Sequence, residues 1–194
     1  MARVVLKDVR LAFPDVFEAV QYQGQGPFNY RLNILLPKGS DQWKKFQTDV
    51  KAVAKEKWGE KAEQVYKQIV ANPKQCCYAD GDLKEYAGYP DNWVISASRA
   101  QKDGPPAVVD RNRSMINASA GLIYSGVYAN VAIDLWAQDN KFGKGIRAGL
   151  VSVQFVKHGE SFGGAAPSNA NDFEDIGFDD DGFGDEDSSF SDDI

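Results

Sequence analysis

Histidine and cysteine are almost missing from this sequence. His158, Cys76 and Cys77 are the only residues of these types among 194. A structural zinc site needs four such ligands at set spacings, and three residues, two of them neighbours, do not supply them. A disulfide between adjacent cysteines is strained, so the pair reads as two reduced thiols packed near a strand. No uninterrupted apolar run approaches the roughly 18–20 residues that cross a bilayer. The opening Met1-Ala2-Arg3-Val4-Val5-Leu6-Lys7-Asp8 meets charge too early for a secretory signal, and the expectation is a cytoplasmic protein. Catalytic and nucleotide motifs are missing as well. Gly143-Lys144-Gly145 is only a fragment of a phosphate-cradling loop and reads as a basic hairpin turn. Gly24-Gln25-Gly26 lacks the third glycine and the strand-to-helix setting of a dinucleotide site. There is no G-x-S-x-G, and nothing local supports a Cys–His nucleophile pair.

A further absence is that of positive charge from one end. Residues 159–194 contain no Lys or Arg and twelve Asp or Glu. The whole chain carries 22 basic and 28 acidic residues. Residues 1–158 therefore hold 22 bases against 16 acids, a net of +6, joined to a segment of −12. The acidic average hides a basic body. Gly163-Gly164-Ala165-Ala166-Pro167-Ser168-Asn169-Ala170-Asn171 has a flexible linker's composition. Beyond it, acids interleave with Phe173, Phe178, Phe183, Phe190 and Ile194, and too little apolar area accompanies the charge for independent folding. The expected organisation is one domain over 1–158 and a flexible acidic tail over 159–194.

The body reads mainly as strands. Val4–Phe13 is one, with Val5, Val9, Leu11 and Phe13 on its mostly apolar side, interrupted by Lys7 and ended by Pro14. Tyr22 to Pro27 is a loop. Phe28, Tyr30, Leu32, Ile34 and Leu36 alternate with Asn29, Arg31 and Asn33 in a second strand. Ser40 or Asp41 caps a helix to about Trp58, with Trp43, Phe46, Val50 and Val53 or Ala54 on one face. Gly59 stops it, and a second helix runs from Glu60 to about Ala71. Residues 40–72 thus form a two-helix insertion between strands, packed on a sheet. Residues 74–92 are irregular. Trp93–Ser98 and Ala107–Asp110 are short strands around a turn at 102–106. Leu122–Ala137 is the strongest strand, its odd positions from Ile123 to Leu135 forming a core face. Residues 139–145 are a loop, and Arg147–Lys157 is the last strand, with Val151, Val153 and Phe155 facing one way. Strands with glycine turns, one helical insertion and no βαβ alternation predict a mainly β, α+β protein built on an antiparallel barrel or sandwich.

Such a body suits single-stranded nucleic acid. Lys and Arg neutralise phosphates, and exposed rings stack on bases without reading sequence. Tyr124, Tyr128 and Trp136 share the polar face of the strongest strand and are the first stacking candidates, unless a helix of the insertion covers that face. Trp93 and Tyr30 are second. Arg31, Lys102, Arg111, Arg113, Lys141, Lys144 and Arg147 are the expected phosphate contacts, because they cluster in loops and at strand edges. The tail imitates a polyanion and can occupy the same surface at high effective concentration, while Phe173, Phe178, Phe183, Phe190 and Ile194 offer apolar anchors to partner proteins. Two other readings compete. Asp80-Gly81-Asp82 with Glu85 is a possible divalent-metal set for a nuclease or recombination enzyme, although short D-G-D stretches are usually turns. Alternatively, the acidic tail is the only functional part of an interaction protein. Asp179-Asp180-Asp181-Gly182 lacks the spacing of a calcium loop.

Ile123-Tyr124-Ser125-Gly126-Val127-Tyr128-Ala129-Asn130, Asn140-Lys141-Phe142-Gly143-Lys144-Gly145-Ile146 and Leu150 with Val153-Gln154-Phe155 resemble the C-terminal half of a family of bacteriophage single-stranded-DNA-binding proteins. Arg10-Leu11-Ala12-Phe13-Pro14 and the strand Tyr30–Leu36 are similar to it too. The resemblance covers most of residues 1–160. It implies an OB-fold core; the missing motifs add the expectation of a non-catalytic protein without a cofactor. It also implies a role in phage replication or recombination, with the tail docking proteins of those processes. This chain ends in Ile194, not in the Phe common to such tails.

Overall fold

The structure, a computed structural model, describes residues 1–163. Its strands are β1 (Ala2–Tyr22), β2 (Gln25–Pro37), β3 (Tyr78–Asp80), β4 (Asn92–Ala100), β5 (Ala107–Val109), β6 (Tyr128–Asn140) and β7 (Gly143–Lys157). The helices are α1 (Asp41–Trp58) and α2 (Ala62–Val70). Five strands close a barrel in the order β4-β2-β1-β6-β7, and β7 returns to β4 where Ser98 meets Gly149. The barrel is antiparallel except at β7, whose contacts with β4 and β5 are parallel. One edge of β4 is shared: Trp93–Ile95 pair with β3, while Ser98 reaches β7.

The inward faces follow apolar parity, broken where the backbone bulges. In the first half of β1 the inward set is Val4 and Leu6, then Val9 and Leu11. The register shifts between Leu6 and Val9, where Asp8 has a left-handed φ of 50°. Val5, expected inside, is exposed because it precedes that bulge. Pro14 does not end the strand. It falls at a second register shift between Ala12 and Asp15, where a missing N–H removes no ladder bond. The neighbouring Phe13 N–H donates instead to Ser125 Oγ at 2.8 Å. The expected loop at 22–27 is a two-residue turn in which Gln23 and Gly24 have φ of 51° and 71°, as a tight hairpin requires. Phe28 is exposed near this open end, whereas Leu32, Ile34 and Leu36 are buried.

In β6, Ala129, Val131, Ile133 and Leu135 point inward with Val127, as expected; residues 122–126 stay outside the strand. β7 begins at Gly143, so the expected loop is a hairpin tip at Lys141-Phe142. A register shift facing Ala132/Ile133 sets Ile146, Ala148 and Leu150 inward before it and Val153 and Phe155 after it. Val151 falls at the shift and is only half-buried. The stretch 74–92, expected to be irregular, contains β3.

The insertion forms as its sequence requires. Ser40 Oγ accepts from the Trp43 N–H at 3.2 Å, Asp41 sits in the first turn and Lys55 and Lys57 in the last. Gly59 closes α1 with a φ of 55°, and a 3-10 turn at Gly59–Lys61 joins it to α2. Trp43, Phe46, Val50, Val53, Ala62, Val65 and Ile69 join the same buried cluster as the inward residues of the barrel. The insertion is therefore part of the barrel's core. Val70 is left exposed. Cys76 and Cys77 are free thiols buried in that cluster, and burial raises the pKa of both.

Residues 159–163 remain packed on the barrel: the Phe162 N–H donates to the Ser125 carbonyl at 3.0 Å. Phe173, Phe178, Phe183, Phe190 and Ile194 lie outside the described residues. No described helix is long and apolar enough to cross a membrane.

Phe46 is fully buried where α1 meets the barrel. Phe46→Ala should lower the unfolding free energy by about 3–5 kcal/mol, read from the midpoint of urea denaturation.

Candidate nucleic-acid interface

The pairing of β2 with β4 sets what the outside of the barrel presents. Arg31 lies opposite Ser98, Asn33 opposite Ser96 and Leu35 opposite Val94. The first two pairs make a polar floor. The third is covered: Leu35 and Val94 form a small second cluster with Ala12 and Tyr89, against which Phe162 packs. Over this face runs a groove of about 870 Å³. Phe13, Tyr22, Tyr86, Tyr89 and Tyr124 line it above Arg31, Asn33, Ser96 and Ser98, with Lys84 and Asp15 at its margin.

The rings differ in availability. Tyr22, Tyr86 and Phe13 are 68%, 50% and 47% exposed. Phe13 and Tyr86 meet edge to face at 5.2 Å, and Tyr86 meets Tyr89 at the same distance. Tyr89 is buried, and its hydroxyl accepts from Asn33 Nδ2 at 2.7 Å; burial raises its pKa and keeps the phenol neutral. Tyr124 stacks on His158 at 5.8 Å, and its hydroxyl donates to the Gly159 carbonyl at 3.0 Å. Arg31 Nε donates to Asp15 at 2.9 Å, with the guanidinium 5.9 Å from the Tyr22 ring. The groove thus combines exposed π faces, a neutral floor of amide and hydroxyl groups, and a cation held in place by a carboxylate. Flat rings accept bases of any sequence, and the cation suits a phosphate.

Of the residues singled out in the sequence, Arg31 and Tyr124 line the groove. Tyr30 does not: it points into the barrel and is buried, because it shares the parity of Leu32 and Ile34. Trp93 is stacked on Trp43 at 4.7 Å and 10°, with the Lys38 ammonium 5.4 Å from its ring, so it braces α1 against β4. Tyr128 and Trp136 lie on the outer face of β6. This face is not a second core beneath a helix, because Tyr128, Asn130, Ala132, Asp134 and Trp136 all keep solvent exposure. It is cross-linked instead. Tyr128 lies under Arg10 at 5.2 Å and Lys157 at 4.6 Å, Asn130 donates to Gln154, Arg3 donates to both oxygens of Asp134, and Trp136 covers Gly149.

Lys102, Arg111 and Arg113 are exposed beyond β4 and β5 and do not line the groove. At the β6–β7 hairpin, Lys144 pairs with Asp139, Arg147 donates to the Lys74 carbonyl at 2.8 Å, and Lys141 lies 5.0 Å from the exposed Phe142 ring. None of these three lines the groove either. The other groove residues Phe13, Tyr22, Tyr86, Tyr89 and Lys84 are not among those singled out in the sequence. For Tyr86 and Tyr89 the available signal was aromatic density in Tyr86-Ala87-Gly88-Tyr89-Pro90, a stretch too rich in glycine and proline to carry a strand face.

The carboxylate set is already occupied by a cation of the chain. Lys38 Nζ bridges Asp80 and Asp82. Asp80 also accepts from the Asp82 N–H at 2.9 Å, and Asp82 from the Asp91 N–H at 2.7 Å. Gly81 is pressed between the Tyr89 and Asn92 carbonyls, where a Cβ would lie 2.3 and 2.5 Å away. The D-G-D turn therefore staples the base of the loop that carries Tyr86 and Tyr89. Among the described residues no group of three His, Cys, Asp or Glu is placed to hold a metal ion.

Known proteins are similar to this chain in sequence or in fold. A family model described as the single-stranded-DNA-binding protein of Enterobacter phage Enc34 matches residues 2–183. Protein p50 of Acyrthosiphon pisum secondary endosymbiont phage 1 is 42% identical over 176 residues, spanning 90% of this chain and 94% of that protein. The single-stranded DNA-binding protein from bacteriophage Enc34, solved in complex with single-stranded DNA, is similar with a TM-score of 0.68 at 26% identity, over 83% of this chain and 89% of that one. The single-stranded DNA-binding protein gp2.5 of bacteriophage T7 shares the fold, with a TM-score of 0.53 at 16% identity over 91% of this chain and 98% of its own. The barrel is thus the OB-like one of these phage proteins.

Hydrogen bonds from Lys38 hold the Asp80 and Asp82 carboxyls below the usual carboxylate range. Depressed folded-state values mean that this contribution to stability is complete above the unfolded carboxylate pKa and is lost as pH falls through the folded values. In Lys38→Met, carboxyl titrations followed by NMR should move both groups up toward 3.8. Unchanged midpoints would show that the staple does not depend on Lys38.

Proposed function

This chain belongs to the family of the Enterobacter phage Enc34 single-stranded-DNA-binding protein, and on that premise we propose that it binds single-stranded DNA in the β2–β4 groove without reading sequence. The family's function is binding, not catalysis. The observation that carries the reading is the row of exposed rings, Phe13, Tyr22 and Tyr86, above a floor of Arg31, Asn33, Ser96 and Ser98. Bases stack on the rings, the floor offers hydrogen bonds that do not discriminate, and Arg31 exchanges Asp15 for a phosphate. The exchange is inexpensive, since a half-exposed pair of this kind is worth about 0–1 kcal/mol. The exposed Lys84, Lys102, Arg111, Arg113 and Lys141 extend the positive surface beyond the groove.

The acidic segment then acts as a tethered competitor. A segment of −12 joined to a body of +6 occupies the cationic surface until DNA displaces it. Once free, its phenylalanines and Ile194 dock proteins of phage replication or recombination in the host cytoplasm. The nuclease reading is set aside, because Lys38 occupies Asp80 and Asp82 and the family is one of binding proteins. A function confined to the tail would leave the groove without a role, and a body unable to bind DNA would favour it.

Fluorescence titration with oligo-dT should show affinity falling steeply with salt and varying little with base composition. Tyr86→Ala and Phe13→Ala should each weaken binding by about 1–3 kcal/mol with the melting temperature preserved, whereas Trp136→Ala should leave affinity nearly unchanged. Equal loss at all three positions would move the site off the groove. Removing residues 164–194 should tighten binding at low salt, with the difference closing as salt rises. Equal or weaker binding by the shortened chain would end the competitor role.

A further inference from the structure

The chain does not leave the barrel when β7 ends. Gly159 is held through both its N–H and its carbonyl by the Tyr124 hydroxyl, each at 3.0 Å. Arg10 donates to the Gly126 carbonyl at 3.1 Å and to the Glu160 carbonyl. Two residues on, the Phe162 ring is clamped. The Arg10 guanidinium stands 4.1 Å from its centroid. The ring also abuts Gly88, which has a φ of +82°, and a Cβ there would fall 2.3 Å from the ring's Cζ. Only glycine combines that backbone with that approach.

Gly88 lies between Tyr86 and Tyr89, both of which line the groove. The base of their loop is stapled by Lys38, Asp82 and Gly81, while its middle rests on the Phe162 ring. From this geometry we infer that Phe162 is a positioning residue for the DNA groove, seating the Gly88 backbone so that Tyr86 and Tyr89 stand over the floor. It acts through the loop and touches no base. The inference rests on the groove reading and adds a determinant outside the groove, in the segment that leads to the acidic tail.

The test uses the full-length chain carrying Phe162→Ala, Phe162→Leu, Tyr86→Ala or the Phe162→Ala/Tyr86→Ala pair, with hydrogen–deuterium exchange and oligo-dT titration at high salt, where the tail is screened. Phe162→Ala should speed exchange in residues 84–92 about tenfold while β1 and β2 keep their protection, and Phe162→Leu should restore most of it by keeping the seat filled. Affinity of Phe162→Ala should fall about fivefold or more, and the double variant should bind little worse than Tyr86→Ala. Unchanged exchange in 84–92, a rise spread equally over β1 and β2, or losses that multiply in the double variant would each overturn the inference. If Tyr86→Ala alone leaves affinity intact, the groove reading itself fails, whatever the loop does.

Discussion

Inside the barrel Leu32 lies opposite Ala97 and Ile34 opposite Ile95, and that register leaves Arg31 facing Ser98 and Asn33 facing Ser96 on the outside. Side chains alternate across a strand, so a slip of one residue would put Arg31 in the core and Leu32 in the groove. The burial of Leu32, Ile34 and Ile95 therefore positions the polar floor as firmly as it closes the barrel. α1 reinforces the same register, because Trp43 stacks on Trp93 of β4 and Phe46 fills the core beneath. The small cluster of Ala12, Leu35, Tyr89 and Val94 brings the loop onto the outer face.

Binding by such a surface divides between shape and charge. The amide and hydroxyl groups of the floor are neutral, and the Arg31 cation beside them is already paired with Asp15. In the proposed binding mode the larger share of groove affinity comes from rings, at about 1–3 kcal/mol per stacked base against about 0–1 for exchanging one exposed ion pair. The remaining positive charge is spread over helices, strands and loops outside the groove, where exposed cations attract any polyanion. That arrangement suits the proposed competition between strand and tail, in which both would satisfy the charge but bases alone would satisfy the rings.

Much of this architecture was legible in the residues. α1, its Ser40 cap and its Gly59 stop follow from local chemistry, as do the inward sets of β2 and β6. Parity failed where a bulge intervened, at Val5 beside Asp8 and at Val151 on β7, because a bulge depends on how the partner strand closes and leaves no periodic trace. Pro14 misled for the same reason, since a proline is tolerated wherever the ladder is already interrupted. Among the candidate site residues, Arg31 lines the groove from the outer face of β2, and Tyr124 lines it from the segment before β6. Tyr30 and Trp93 lie away from the groove, in or against the core, and an aromatic ring reads alike in sequence whether it serves a core or a ligand.

The sequence by itself determined the contrast between a basic body and an acidic end, the absence of cofactor and nucleophile motifs, the helical insertion and the alternation that makes a barrel. Those properties are local or additive, and each is carried by neighbouring residues. Only the tertiary structure decided where the groove lies. Its rings come from Phe13 at a bulge, Tyr22 at a turn, Tyr86 and Tyr89 in a stapled loop and Tyr124 before β6. Barrel closure and the seating of Phe162 against Gly88 bring these distant segments together, and no periodicity along the chain records such a meeting.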